Sequence, residues 1–306
     1  MTVAVLLSTY NGERHLPALL DSLAGQTHGD WRLVVRDDGS SEGDGTVALL
    51  QAFAARHPGR VHLEAGPNLG AVASFLTLLR RPEAEAEAVA FCDQDDVWHG
   101  DKLARALEHL SARPAVPALY FTRARLVDDD LRPLGLSPPF DRVGWSQALF
   151  ENAAIGCTTV FNAAAYRLIV SSLPEPSGVV VHDWWCYLVV SALGEVFYDP
   201  SPSVDYRLHA GNVIGLPQGP LAAVVTQLRR LLRAPGRFYE PHRQAVALLE
   251  NFGDLLPPDR KAVVAEFVAA KARPLRRVRL ALTGPVRRQR PLDTLIARAL
   301  IAVGLY

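Results

Sequence analysis

Residues 88 to 98 read Ala88-Val89-Ala90-Phe91-Cys92-Asp93-Gln94-Asp95-Asp96-Val97-Trp98. An uninterrupted apolar run passes directly into a cluster of three carboxylates. A short apolar run bounded by polar residues has the pattern of a strand covered on both faces. The chain therefore leaves a buried layer straight into like charges whose mutual repulsion is costly without a cation. Mg²⁺ or Mn²⁺ commonly takes one or two protein carboxylates and fills the rest of its shell with phosphate oxygens and water. Taken alone, the cluster also reads as an acidic turn capping a helix that begins near Asp101.

The same design recurs upstream. Residues 3 to 8 form an apolar run ending in Ser8-Thr9-Tyr10-Asn11-Gly12, and Leu16, Leu19, Leu20 and Leu23 follow at helical spacing. A second strand, Trp31 to Val35, ends at Asp37-Asp38-Gly39-Ser40, followed by a helix over Thr46 to Arg56. A third strand covers Val61 to Glu64, and a helix follows Asn68-Leu69-Gly70. Regular alternation predicts an α/β fold: a mostly parallel sheet flanked by helices, with ligands beyond the carboxyl ends of the strands. Three of those ends carry Ser/Thr/Tyr/Asn or Asp.

Beyond a helix from Lys102 to Ala112 and a strand from Leu119 to Thr122, a loop with Pro133, Pro138 and Pro139 breaks the repeat. Apolar segments at Thr158 to Phe161, Val179 to Val181 and Val196 to Tyr198, with a helix from Trp184 to Leu193, predict a mixed second half completing the sheet. Helical segments are expected near 220–233, 239–255 and 258–271. Residues 1–219 thus read as a catalytic domain and 220–306 as a helical, basic region.

At 306 residues the chain can bury a sizeable core. Formal net charge is zero, but residues 221 to 306 hold sixteen basic and six acidic side chains, leaving the remainder acidic. An acidic domain repels a diphosphate at long range, which makes a mediating cation more plausible. Cys92, Cys157 and Cys186 lack Cys-x-x-Cys spacing and read as reduced core thiols. No basic leader and no apolar stretch of spanning length is visible, so the expected location is cytoplasmic.

Gly-x-Gly-x-x-Gly is absent after the first strand, as is a phosphate-loop lysine motif, which argues against a standard dehydrogenase or ATPase. A carboxylate at Asp38 can accept hydrogen bonds from a nucleobase imide or ribose hydroxyls, though an Asp-Gly turn would look the same. His182-Asp183-Trp184-Trp185 opens a helix, where Asp183 could be no more than a cap or first-turn residue.

Together these motifs resemble a family 2 glycosyltransferase of the A-type fold. The resemblance runs over roughly residues 1 to 215. Within the family the chain is most similar to bacterial rhamnosyltransferases, through Asn68-x-Gly70, Asp93-Gln94-Asp95-Asp96-x-Trp98 with Asp101-Lys102-Leu103, Gly156-Cys157-Thr158 and His182-Asp183-Trp184-Trp185. The resemblance implies that Ser8, Tyr10, Asp38 and Asn68 hold the nucleotide sugar, with Asp93 near the ribose. It further implies that Asp95 and His209 serve the metal, Mg²⁺ or Mn²⁺, and that Asp183 is the base of inverting transfer. Trp184 and Trp185 are assigned to the acceptor, although one of two neighbouring tryptophans on a helix normally points inward. The family usually continues Asp-Asp-Gly-Ser-x-Asp-x-Thr, whereas this chain reads Ser41-Glu42-Gly43-Asp44-Gly45-Thr46, an apparent two-residue insertion.

The implied reaction moves a sugar, rhamnose from dTDP-rhamnose, to a glycan or lipid-linked acceptor in cell-surface polysaccharide synthesis. A nucleotidyltransferase would want a Gly-rich, basic loop after the first strand, and Ser8 to Gly12 is not one. A non-catalytic sugar-nucleotide or glycan binding protein would be expected to lose Asp183 or Asp95, and both are present. Lys271 to Arg290 carries eight basic residues and no acidic one, interleaved with Leu275, Val278, Leu280, Leu282 and Val286. That stretch reads either as a solvated helical face or as a peripheral contact with anionic lipid on the inner face of the membrane. Nucleic acid fits less well, since no recognition module accompanies the charge.

Overall fold

In strands buried on both faces, successive side chains enter opposite layers, and the first strand follows that rule. In the computed structural model, which describes residues 1–208 and 240–306, β1 (Val3–Thr9) sends Val3, Val5 and Leu7 to one core and Ala4 and Leu6 to another. Next come α1 (Leu16–Ala24), β2 (Trp31–Asp37), α2 (Thr46–Arg56), β3 (Val61–Ala65), α3 (Ala71–Leu79) and β4 (Ala88–Asp93). Pro17 starts α1 where its missing N–H costs nothing, and Leu16, Leu19, Leu20 and Leu23 are its buried stripe.

The chain then passes through β5 (Val97–Trp98), α4 (Lys102–Leu110), β6 (Ala118–Thr122), β7 (Arg125–Val127), β8 (Pro133–Leu136) and α5 (Trp145–Ala148). It continues with β9 (Val160–Asn162), α6 (Ala163–Ser171), α7 (His182–Leu193), β10 (Glu195–Asp199) and β11 (Val204–Arg207). Four C-terminal helices follow: α8 (Pro241–Phe252), α9 (Pro258–Ala270), α10 (Pro274–Thr283) and α11 (Pro291–Val303).

Seven strands form the main sheet in the order β10-β6-β9-β4-β1-β2-β3. Every pairing is parallel except those of β9, which runs antiparallel to β4 and β6. Register places Ser8 beside both Arg36 and Asp93, so the ends of three strands meet at one edge. A second sheet, β5-β11-β7-β8, lies beyond that edge in the chain's connections.

One core contains α1, α4 and residues of α2. The other runs from α3 and α6 through α7 into the C-terminal helices. Every residue from His182 to Ala192 is buried, because α7 is covered on all sides instead of along one stripe. Residues 179–181, expected to extend the sheet, instead link a 3₁₀ turn (Pro176–Gly178) to α7, with Val179 buried against the core. The helix expected near 220–233 lies outside the described residues, as does His209.

Candidate active site

Arg36 is a buried cation near the end of β2, and its burial demands partners. It pairs with the Asp38 carboxylate and donates to the Pro67 carbonyl at 2.8 Å and to Ser74 Oγ at 3.3 Å. Asp38 also accepts from the backbone N–H groups of Leu69 and Gly70, each at 2.8 Å. Ser74 and Ser8 share a hydrogen bond of 2.6 Å. Ser8, Asp38 and the Asn68 loop are therefore one polar network, joining the ends of β1 and β2 to the start of α3. Gly39 turns beneath it with φ of +81°, and a Cβ there would stand 2.8 Å from the Asn68 nitrogen, so only glycine fits.

Asn11 adopts φ of +47°, a left-handed conformation that asparagine tolerates. Its N–H donates to Ser40 Oγ at 2.9 Å, and its Oδ1 accepts from Ser41 N–H at 2.7 Å. The Gln94 amide clasps the Tyr10 backbone in both directions, at 2.8 and 3.0 Å. These bonds fix the main chain around Tyr10 and leave its ring 46% exposed, available for stacking.

The acidic turn after β4 is layered. Asp93 and Asp95 are half-buried at the rim, whereas Asp96 lies beneath them with its Oδ1 accepting from Arg207 N–H at 3.1 Å. Arg207 Nε donates to the Asp95 carbonyl at 2.8 Å, so β11 clamps this turn. Asp96 Oδ2 is buried with no N–H or O–H donor among the described residues, and the Cys157 thiol lies beside the carboxylate. Burial first, then the fields of Asp95 and Asp183, push the Asp93 carboxyl up to about 8. Asp96 is raised well above the carboxylate range by burial and its acidic neighbours.

Among the described residues, the group close enough to share an ion is Asp93, Asp96 and Cys157, with ligand atoms within 4.8 Å of one another; it does not include Asp95. The Cys157 thiol is held protonated by burial and by Asp96 and Asp93, and thiolate is a poor match for Mg²⁺ or Mn²⁺. The carboxylates do fit a hard cation: they are oxygen donors, strained by one another's charge, and one buried oxygen has no N–H or O–H donor among the described residues.

Asp183, in the first turn of α7, is buried. Its Oδ2 accepts from Gly156 N–H at 2.8 Å, and its Oδ1 accepts from Asn152 Nδ2 at 3.1 Å and Trp184 N–H at 2.6 Å. Burial lifts its carboxyl to about 6, against these donors, which pull the other way. A Cβ on Gly156 would stand 3.3 Å from His182 Nε2, a tight contact, and 3.4 Å from Asp183 Oδ2, an ordinary one, so a side chain there would crowd the His182 ring first. His182 is stacked on Phe75 at 3.8 Å, and burial keeps its ring neutral, down to about 3.

The neighbouring tryptophans correct an expectation. Trp185 is fully buried in the core, tilted against Phe252 at 6.1 Å. Trp184 is buried too, and its Nε1 donates to the Ala148 carbonyl at 2.6 Å. Neither ring has an open face for an acceptor, because α7 is enclosed on every side.

Residues 4–168 match the family described as glycosyl transferase family 2, more than half of the chain. The chain belongs to that family. It is a glycosyltransferase. It is 26% identical over 224 residues to a dTDP-rhamnosyl transferase of Shigella flexneri, RfbG, covering 68% of this chain and 73% of that one. A putative teichuronic acid biosynthesis glycosyltransferase of Bacillus subtilis, TuaG, is 33% identical over 161 residues, 52% of this chain and 60% of its own. Among solved structures, S. aureus TarS (residues 1–349) superposes with a TM-score of 0.59 at 18% identity, covering 99% of this chain and 81% of that one. A mannosyltransferase of Pyrobaculum calidifontis, solved with GDP-Man and Mn²⁺, gives 0.54 at 19% identity, covering 98% and 86%. These likenesses establish the A-type fold for the transferase.

The structure brings Ser8, Tyr10, Asp38, Asn68, Asp93, Asp95 and Asp183 to the carboxyl end of the sheet or its connecting loops. Sequence reading passed over Arg36, Asn152 and Gly156 as functional supports. Arg36 carries a local signal, a charge set in an apolar strand just before Asp37-Asp38. Gly156 was visible as part of a motif, but its bond to a residue 27 positions onward was not.

Proposed function

We propose that this transferase moves a sugar from a nucleoside diphosphate donor to a hydroxyl of a glycan or lipid-linked acceptor, with inversion, in cell-surface polysaccharide synthesis. Similarity to the Shigella flexneri enzyme favours dTDP-rhamnose as donor. The observation that carries the reading is Asp183, a buried carboxylate oriented by Gly156 N–H and Asn152 and close enough to contribute to the field on Asp93.

In this reading Tyr10 offers its exposed ring to the nucleobase, and the network of Ser8, Asp38 and Asn68 shapes the pocket around base and ribose, with Asp93 toward the ribose. Asp95 would hold Mg²⁺ or Mn²⁺ beside Asp93, whose carboxyl its charge already raises, joined by His209 from outside the described residues. A bound cation would supply charge neutralisation for the departing diphosphate. Asp183 takes the proton of the acceptor hydroxyl as that oxygen bonds to the anomeric carbon. The carbon–oxygen bond to the diphosphate breaks on the opposite face, and the nucleoside diphosphate leaves with the electron pair. No covalent glycosyl-enzyme forms.

Donor turnover tests this directly. Asp183→Asn is expected to lower transfer by about 10²- to 10⁴-fold while calorimetric binding of the nucleoside diphosphate persists. Chelation should abolish transfer, and Mn²⁺ or Mg²⁺ should restore it. Full transfer by the Asn variant would remove Asp183 as the base, and metal-independent transfer would remove the cation.

A further inference from the structure

The last two helices are amphipathic in an unusual sense, since each packs inward by one face and leaves apolar side chains on the other. α10 buries Leu280 and Ala281, and α11 buries Ala297 and Ile301. On α10, Leu275 is 87% exposed and Leu282 71%, with Val278 between them at helical spacing. On α11, Leu295 is 65% and Val303 64% exposed, on a stripe that begins at Leu292. Arg279, Arg287 and Arg290 are exposed among them, without an ion pair among the described residues. No described helix is long and apolar enough to cross a membrane.

We propose that α10 and α11 form a docking face for an anionic lipid surface, with the leucines entering the headgroup boundary and the arginines meeting lipid phosphates. Charge selects this occupant. A symmetric contact with a second copy would set the arginines against one another. Residues 209 to 239 add four arginines and no acidic side chain in sequence, so the basic character of this part of the chain extends beyond the hairpin.

The face is also tied to the site. Glu151 accepts from Arg288 Nη2 at 3.1 Å and from Gln289 N–H at 2.8 Å, in the connection between α10 and α11. The next residue, Asn152, donates to Asp183. The connection of this hairpin is therefore bonded to the residue that precedes the support of the proposed base. This deepens the lipid-linked acceptor reading and rests on it only for its purpose; the docking face itself can be tested separately.

The test is co-sedimentation of the full chain with vesicles of phosphatidylcholine alone or mixed with phosphatidylglycerol, beside donor hydrolysis on the same preparations. Binding should be about tenfold or more tighter to the anionic vesicles and should weaken with added salt. Arg279→Glu with Arg287→Glu should abolish it, and Leu275→Ser with Leu282→Ser should weaken it by about tenfold. Donor hydrolysis should stay unchanged in both variants. Equal binding to the two vesicle types, no binding, or self-association removed by the serine variant would each overturn the docking face. Loss of docking with hydrolysis intact leaves the transfer reading standing; docking without any hydrolysis does the reverse.

Discussion

Asp93 and Asp183 are both carboxylates lifted above their ordinary range, yet their surroundings differ. Asp93 is raised by burial and by two like charges, a condition that a cation relieves. Asp183 is raised mainly by burial and already has three hydrogen-bond donors. A base must be ionised, so kcat/KM should climb with pH up to about 6 and then level off. The same shift has a stability sign: the folded state holds the proton more tightly, so Asp183 favours folding at low pH and loses that contribution as pH rises through about 6. Asp183→Asn should therefore gain thermal stability relative to the parent between about pH 4 and 6, and a scan of Tm against pH checks this. At Gly156, an alanine would crowd the His182 ring beside Asp183. Gly156→Ala is expected to cost about 1–3 kcal/mol and to lower kcat while nucleotide affinity stays unchanged, as steady-state kinetics and calorimetry would reveal.

At the scale of elements, the loops at the sheet edge are held by buried charge. Asp38→Ala would leave Arg36 unpaired and two backbone N–H groups open at the start of α3. The expected loss is about 3–5 kcal/mol in urea unfolding, with weakened donor binding. The first four strands and three helices were legible because they obey simple periodicity: buried parallel strands are continuous apolar runs, and Leu16, Leu19, Leu20 and Leu23 mark a helix face. The second sheet was not. Val204–Arg207 includes Asp205 and Arg207, both buried, and Asp205 is held by Arg125 at 2.5 and 2.6 Å and by His99 at 2.8 Å, partners set far away in sequence. Pro133 opens the exposed strand β8, where an absent N–H is tolerated. The rings of Trp184 and Trp185 were misjudged for a related reason: local pattern cannot reveal that α7 is covered on its second side by helices more than fifty residues away.

Across the whole molecule, α8 and α9 complete a core that the sheet alone leaves open. Phe252 meets Trp185, and Phe267 packs edge-on to Phe150 at 5.3 Å. A chain ended after residue 239 would uncover these aromatic rings, and it is expected to aggregate or bind a hydrophobic dye without a cooperative melting transition. The helix α7 that carries Asp183 and the basic hairpin are thus parts of one packed body. The bond from Gly156 to Asp183 then has an evolutionary meaning. Its donor belongs to the main chain, and no side-chain replacement deletes a backbone N–H unless proline is introduced. Residues such as 128 to 144 can drift in sequence and acquire new acceptors while this main-chain hold on the carboxylate is inherited intact, so a lineage can change what it decorates and keep how it does so.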